Sequence, residues 1–395
     1  MSTADELRVL VINTGGTFGM KKGGQGYTPS SGDLEDFLKR SAIFGTWRKA
    51  TKSFIINNKD GDPPVTVSYK LYALPKLLDS SNMNPSGWTE IAETIQDNYG
   101  EYDGFVVIHG TDTMVYTASA LSFMCENLKK TVVVTGAQIP IYEARSDARD
   151  NLINSVIVAA TSNIKEVLLC FGSEVFRGNR CVKNDNAHFA AFISPNHPAV
   201  MKLGVRFERD VGGDPPRMYP GRELAICKLP KDCKVGILYL YPGITLRTVE
   251  RNIQNLKGVV LLSFGAGNAP TDKDFLDTLK DSTERGTLII NVTQCPKGAV
   301  NAAYETGQML KGSGVVSGED ITTEAAYCKL CYLLGREDLT YEQRKRELGK
   351  PLRQEMTQGL VEVPEPMRER SPWLDCRSSG RTMLSSSFWR SQAWR

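Results

Sequence analysis

The chain has 395 residues, 41% of them apolar and 24% charged, with a formal net charge of +3. That length suits two domains and a tail, and so small a charge gives no electrostatic case for nucleic acid or an anionic membrane as partner. No signal-peptide pattern opens the sequence, no apolar run approaches the roughly 18–20 residues of a membrane span, and the nine cysteines are scattered and odd in number. A cytosolic chain is therefore expected, without a disulfide framework.

The apolar run 7–12 reads as a buried strand and breaks into TGGTFGM, residues 14–20, where paired glycines allow a sharp turn flanked by hydroxyls. Residues 33–39 read as a short helix, 47–64 as a polar loop by their turn chemistry, and 65–74 as a strand whose exit holds Asp79, Ser80 and Ser81. Residues 88–99 carry Ile91, Ile95 and Tyr99 at helical spacing. A second strand ending at Ile108 leads into HGTDTM, residues 109–114, and then into a helix over 115–127. Strands over 131–135 and 166–171 and a helix over 147–160 continue the alternation, which predicts a mostly parallel sheet with helices on both faces.

Paired glycines and prolines break the rhythm at 205–233, and a shorter alternation follows, with strands at 234–241, 258–264 and 287–292. The expected division is an α/β domain over 1–208, a connection over 209–233, a smaller α/β domain over 234–357, and a poorly ordered Ser- and Arg-rich tail over 358–395. Cys328 and Cys331 fall within a helical segment and read as ordinary helix cysteines.

The glycine loop has neither GxGxxG nor GxxxxGK[ST] spacing, GxSxG is absent, and the three histidines include no HExxH. The chemistry left is that of hydroxyls, a carboxylate and a lysine, a set suited to acyl transfer once a partner takes the threonine's proton. Lys183, within RGNRCVKND, is the natural lysine, and backbone N–H groups of the glycine turns can bind an oxyanion. The residues alone leave open a plainer reading, in which the threonines cap helices.

TGGTFGM and GFVVIHGTDTM resemble the two threonine signatures of the L-asparaginase family, of the bacterial type I and animal cytosolic kind. LLDSSNM (77–83) is similar to its substrate-carboxylate loop, RGNRCVKND to its lysine segment, and LYPGI, GAGNAP and NVTQC to landmarks of its second domain. The resemblance spans about residues 7–357 in unbroken order. It implies a two-domain α/β fold and hydrolysis of L-asparagine to aspartate and ammonia, without cofactor or metal. It further implies a homodimer or homotetramer with no nucleic-acid or membrane partner.

Position by position, the resemblance makes Thr17 the nucleophile, assisted by Tyr27, a loop tyrosine that closes over the substrate. Thr111 becomes the second catalytic threonine, with Asp112 and Lys183 handling protons. Ser80 and Asp79 would hold the α-carboxylate side of the substrate and Asp112 its ammonium, while Gly16 and Thr111 would lend backbone donors to the oxyanion. His109 is expected to be a structural hydrogen-bonder. Phe18, where relatives carry a smaller aliphatic residue, is a bulk change beside the nucleophile. The rival expectations are a lysophospholipase-type esterase activity and an inactive amino-acid-binding or interaction protein. Animal members often continue into ankyrin repeats, which these 395 residues do not contain.

Overall fold

Leu7–Gly15 is the strand on which the larger sheet is built. It is buried from Val9 onward and lies between two parallel neighbours, Val65–Leu78 and Gly104–Ile108. A parallel strand is covered on both faces, which is why this segment reads as a continuous apolar run. Its side chains still alternate between two cores. Val9 and Val11 join Val106, Ile108 and Leu152, while Leu10 and Ile12 join Phe105, Val107 and Leu121.

The computed structural model describes residues 6–24, 26–29, 33–58, 65–209, 222–301 and 305–359, with nothing placed for the side chains of 27–29, 58, 65, 305 and 306. Contacts group the chain into Met1–Val361 and Glu362–Arg395, and the second unit, with nearly all of the expected tail, lies outside the described residues.

The larger sheet has ten described strands. Its centre runs Val65–Leu78, Leu7–Gly15, Gly104–Ile108, Thr131–Thr135, Val167–Phe171, all parallel, as the alternation predicted. Both edges are antiparallel. Ser53–Asn58 and Thr46–Arg48 extend one side; Glu174–Arg177, Met201–Leu203 and Phe207–Arg209 extend the other. The sheet is therefore mixed. The loop expected over 47–64 is corrected in its first half: Trp47 and Phe54 face each other across that hairpin with ring centroids 4.8 Å apart, and Phe54 and Ile55 are buried. Residues 59–64 lie outside the described set.

The smaller sheet is parallel, in the order Val235–Tyr239, Gly258–Ser263, Leu288–Thr293, Val316–Ser317. Helices Leu246–Ile253 and Lys273–Glu284 cover one face through Val249, Phe275 and Leu279. Thr323–Gly335 covers the other and packs also on Met114–Met124. Both helices are apolar almost all round, as helices buried between two layers must be. Cys328 and Cys331 lie within that buried helix with free thiols, in keeping with their reading as helix cysteines. No helix among the described residues is long and apolar enough to cross a membrane.

Candidate active site

In an open α/β sheet, ligands bind beyond the carboxyl ends of the strands where the strand order reverses. The three central strands Val65–Leu78, Leu7–Gly15 and Gly104–Ile108 end side by side, so DSSN, TGGT and HGTDT emerge at one crevice. The loops touch through backbone. Gly16 has φ +78°, and a β-carbon there would lie 2.4 Å from both Cα and N of Gly110; one on Gly110 would lie 2.6 Å from Ser80 Oγ. Only glycine permits this approach at Gly16. Gly16→Ala is expected to cost about 100-fold in turnover through displaced loops, together with a lowered melting temperature; calorimetry and kinetics on the purified variant check both.

Hydrogen bonds fasten the loops further. Thr14 Oγ1 donates to the Ile108 carbonyl (2.9 Å), and Thr113 Oγ1 donates to that of Ser80 (2.7 Å). Ser80 is buried beneath this contact. The Asp79 carboxylate accepts from the N–H and hydroxyl of Ser81, each at 3.0 Å, capping the short turn Ser80–Asn82. Gly16 differs from expectation: its N–H donates to the Leu78 carbonyl at 2.9 Å. An amide already engaged is not free for an oxyanion, so Gly16 serves the site by close approach.

Thr17 is half-buried and opens a single 3-10 turn, Thr17–Gly19, whose N-cap is Gly16. Phe18 is wholly buried in the core with Leu34 and Leu38, and its carbonyl accepts from Ile141 N–H at 2.9 Å. Its extra bulk is thus absorbed by the core. The Tyr27 backbone pairs with Lys22 in the hairpin after this turn, and its side chain lies outside the described residues.

Thr111 is not a cap either, since that position before Met114–Met124 belongs to Thr113. The Thr111 hydroxyl donates to Gln138 Oε1 (3.2 Å) and accepts from Lys183 Nζ (2.9 Å), which also donates to Asp112 Oδ1 at 2.6 Å. Lys183 is 16% exposed and Asp112 68%, so the pair runs from the protein interior toward solvent. A cleft of about 730 Å³ opens beside it, lined by Asp112, Lys183, Asp185, Tyr116 and Glu324. The structure thus brings Thr111, Asp112 and Lys183 into contact and sets the Thr17 and Ser80 loops against Gly110.

Gln138 was missed by the sequence reading. It follows strand Thr131–Thr135, next in the same parallel row, and its backbone N–H donates to both Asp147 oxygens (3.1 and 2.9 Å). The rule that places the other loops at the crevice points to this one as well.

His109 is fully buried. Its Nδ1 lies 2.7 Å from the Gly110 carbonyl and its Nε2 2.9 Å from Thr117 Oγ1, which itself accepts from Trp88 Nε1. A carbonyl only accepts, so Nδ1 carries the proton, Nε2 accepts the Thr117 hydroxyl, and the ring is a neutral strut. Burial pushes its pKa down to about 4 from an ordinary 6.5. Between those values the unfolded chain binds a proton that the folded chain does not. Stability is therefore complete above pH 6.5 and falls as pH drops toward 4. His109→Gln should flatten that slope in unfolding midpoints measured from pH 4 to 7.

Fold and crevice define a two-domain α/β protein that gathers threonine hydroxyls, a lysine and a carboxylate at the ends of its central strands. The family description "Asparaginase, N-terminal" matches residues 8–211, and "Glutaminase/Asparaginase C-terminal domain" matches 234–346. L-asparaginase 1 of Escherichia coli (strain K12) is 41% identical over 351 residues, covering 88% of this chain and 98% of its own. The 60 kDa lysophospholipase of Mus musculus is 42% identical, covering 91% of this chain and 64% of its own, so the chain spans less than two thirds of that relative. The crystal structure of L-asparaginase I from Vibrio cholerae matches with a TM-score of 0.78 and 40% identity, covering 89% of this chain and all of its own. The chain belongs to the asparaginase family.

Proposed function

We propose that the chain hydrolyses L-asparagine to L-aspartate and ammonia. The observation that carries this reading is the Lys183 ammonium set between Thr111 Oγ1 and Asp112 Oδ1, at 2.9 and 2.6 Å, beside the crevice that holds Thr17. Thr17 Oγ attacks the side-chain amide carbon, giving up its proton with help from Tyr27. The tetrahedral intermediate collapses as the C–N bond breaks, and the departing nitrogen takes a proton to leave as ammonia. Water then attacks the Thr17 ester and releases aspartate, returning a proton to Thr17. The Thr111–Lys183–Asp112 group moves the protons in both halves, and the Thr111 backbone N–H supports the oxyanion. Ser80 and Asp79 form the α-carboxylate wall, and Asp112, exposed toward the cleft, receives the α-ammonium. No cofactor or metal takes part, and the working form is a cytosolic homodimer or homotetramer.

A second reading comes from the relatives named 60 kDa lysophospholipase. A third is glutamine hydrolysis, since one methylene is worth only about 1–3 kcal/mol of discrimination. The test is a substrate panel with one enzyme preparation: ammonia from asparagine and from glutamine, and fatty acid from lysophosphatidylcholine. Asparagine is expected to give the highest kcat/KM. Fatty acid release exceeding ammonia release overturns the reading.

A further inference from the structure

Lys183 sits on a two-residue strand, Val182–Lys183, paired among the described residues with Phe192–Ile193. So short a hairpin cannot fix a long side chain without support at its base. Beside the core packing of Cys181, Ala191 and Phe192, support comes at Asn179 and Arg180 from chain far away in sequence. Arg180 is 3% exposed and pairs at 2.9 Å with Asp320, itself 4% exposed, just beyond the last strand of the smaller sheet. Its Nε donates to the Gln354 carbonyl (2.6 Å) and a terminal nitrogen to Thr357 Oγ1 (3.1 Å). Thr357 in turn donates to Asp320 through its N–H (2.6 Å) and its hydroxyl (2.7 Å). Asn179 Nδ2 donates to the Arg353 carbonyl at 2.9 Å.

The segment 350–357 is itself pinned. Glu355 is completely buried, accepts from the N–H groups of Leu352 and Arg353, and pairs at 2.6 Å with the equally buried Lys329. Lys329 also donates to the Lys350 carbonyl. Buried charges are costly unless paired and hydrogen-bonded, and here Lys329 and Glu355 supply that pairing.

We propose that residues 350–357, with Asp320, form a strap that positions Lys183 through Arg180, making Arg180, Asp320 and Thr357 positioning residues of the site. Residues 350–357 lie beyond residue 346, where the C-terminal family match ends, while Asp320 lies within it. The proposal rests on the role given to Lys183 above. It explains why a hairpin already seated in the core through Cys181, Ala191 and Phe192 is tied as well by a buried ion pair to the smaller sheet: a side-chain nitrogen that must lie within hydrogen-bond reach of both Thr111 and Asp112 tolerates little displacement.

The mildest probe is Thr357→Val in the full chain, which removes one hydroxyl and keeps the Arg180–Asp320 pair. Two readouts apply. One is the pH dependence of reductive methylation at Lys183, read by mass spectrometry, which needs no turnover; the other is kcat and KM for asparagine. The expected result is a displaced Lys183 methylation profile and a kcat lowered about 10- to 100-fold at nearly unchanged KM. Thr357→Ser should restore both, and Thr357→Val should add nothing in a Lys183→Met background. An unchanged methylation profile and unchanged kcat, with only the melting temperature lowered, overturns the proposal. Should the wild-type chain not hydrolyse asparagine, the methylation profile still decides the strap, and the proposed function fails separately.

Discussion

Thr17→Ala is expected to lower kcat for asparagine by roughly 10⁴- to 10⁶-fold, the range reached when an enzyme loses its covalent nucleophile. The loss should fall on kcat, because the groups assigned to hold the zwitterion, Ser80, Asp79 and Asp112, stand on other loops. The fold should survive. Thr17 is half-buried at the start of a turn held by Gly16 and by the Phe18 carbonyl, neither of which uses the threonine side chain. A melting temperature within a few degrees of wild type, measured beside stopped-time ammonia assays, separates lost chemistry from lost structure. Thr17→Ser keeps a hydroxyl at the same carbon and should retain measurable turnover.

Lys183→Met should cost about 10²- to 10⁴-fold in kcat, the usual contribution of a positioned proton-transfer group. The variant removes the donor to Thr111 and the partner of Asp112 together. Asp112 is 68% exposed and remains solvated, so the orphaned carboxylate carries little folding penalty. Lys183→Arg should not rescue, because a planar guanidinium that stays protonated cannot exchange a proton near neutrality. Steady-state kinetics with a melting curve checks both substitutions. Recovery of turnover in the arginine variant would show that positive charge alone suffices.

The parallel centre of the larger sheet was legible because its strands are buried on both faces and so read as uninterrupted apolar runs. The meeting of TGGT and HGTDT followed from the rule that neighbouring parallel strands end at one crevice, and the structure adds DSSN to it. What stayed hidden depended on pairing rather than pattern. The antiparallel edge at Thr46–Arg48 and Ser53–Asn58 carries its apolar content in Trp47 and a run of only three residues, Phe54 to Ile56, between charges and turn formers. Gly16 looked like an oxyanion donor because a glycine turn offers its amide, and only the position of Leu78 shows that amide in use. Arg180, Asp320 and Thr357 have no local signature, since an ion pair between residues 140 positions apart exists only once two domains have packed. Phe18 reads from sequence as a bulk change beside the nucleophile, and its place among Leu34 and Leu38 shows the core taking that volume.

The central claim is that this chain releases ammonia from L-asparagine through Thr17. The direct measurement is ammonia release by the purified full chain across a wide asparagine range, run beside Thr17→Ala from the same preparation. Saturable release by the wild-type chain, abolished in Thr17→Ala at an unchanged melting temperature, is the predicted result. Equal release by both proteins, or none from a folded wild-type chain, contradicts it.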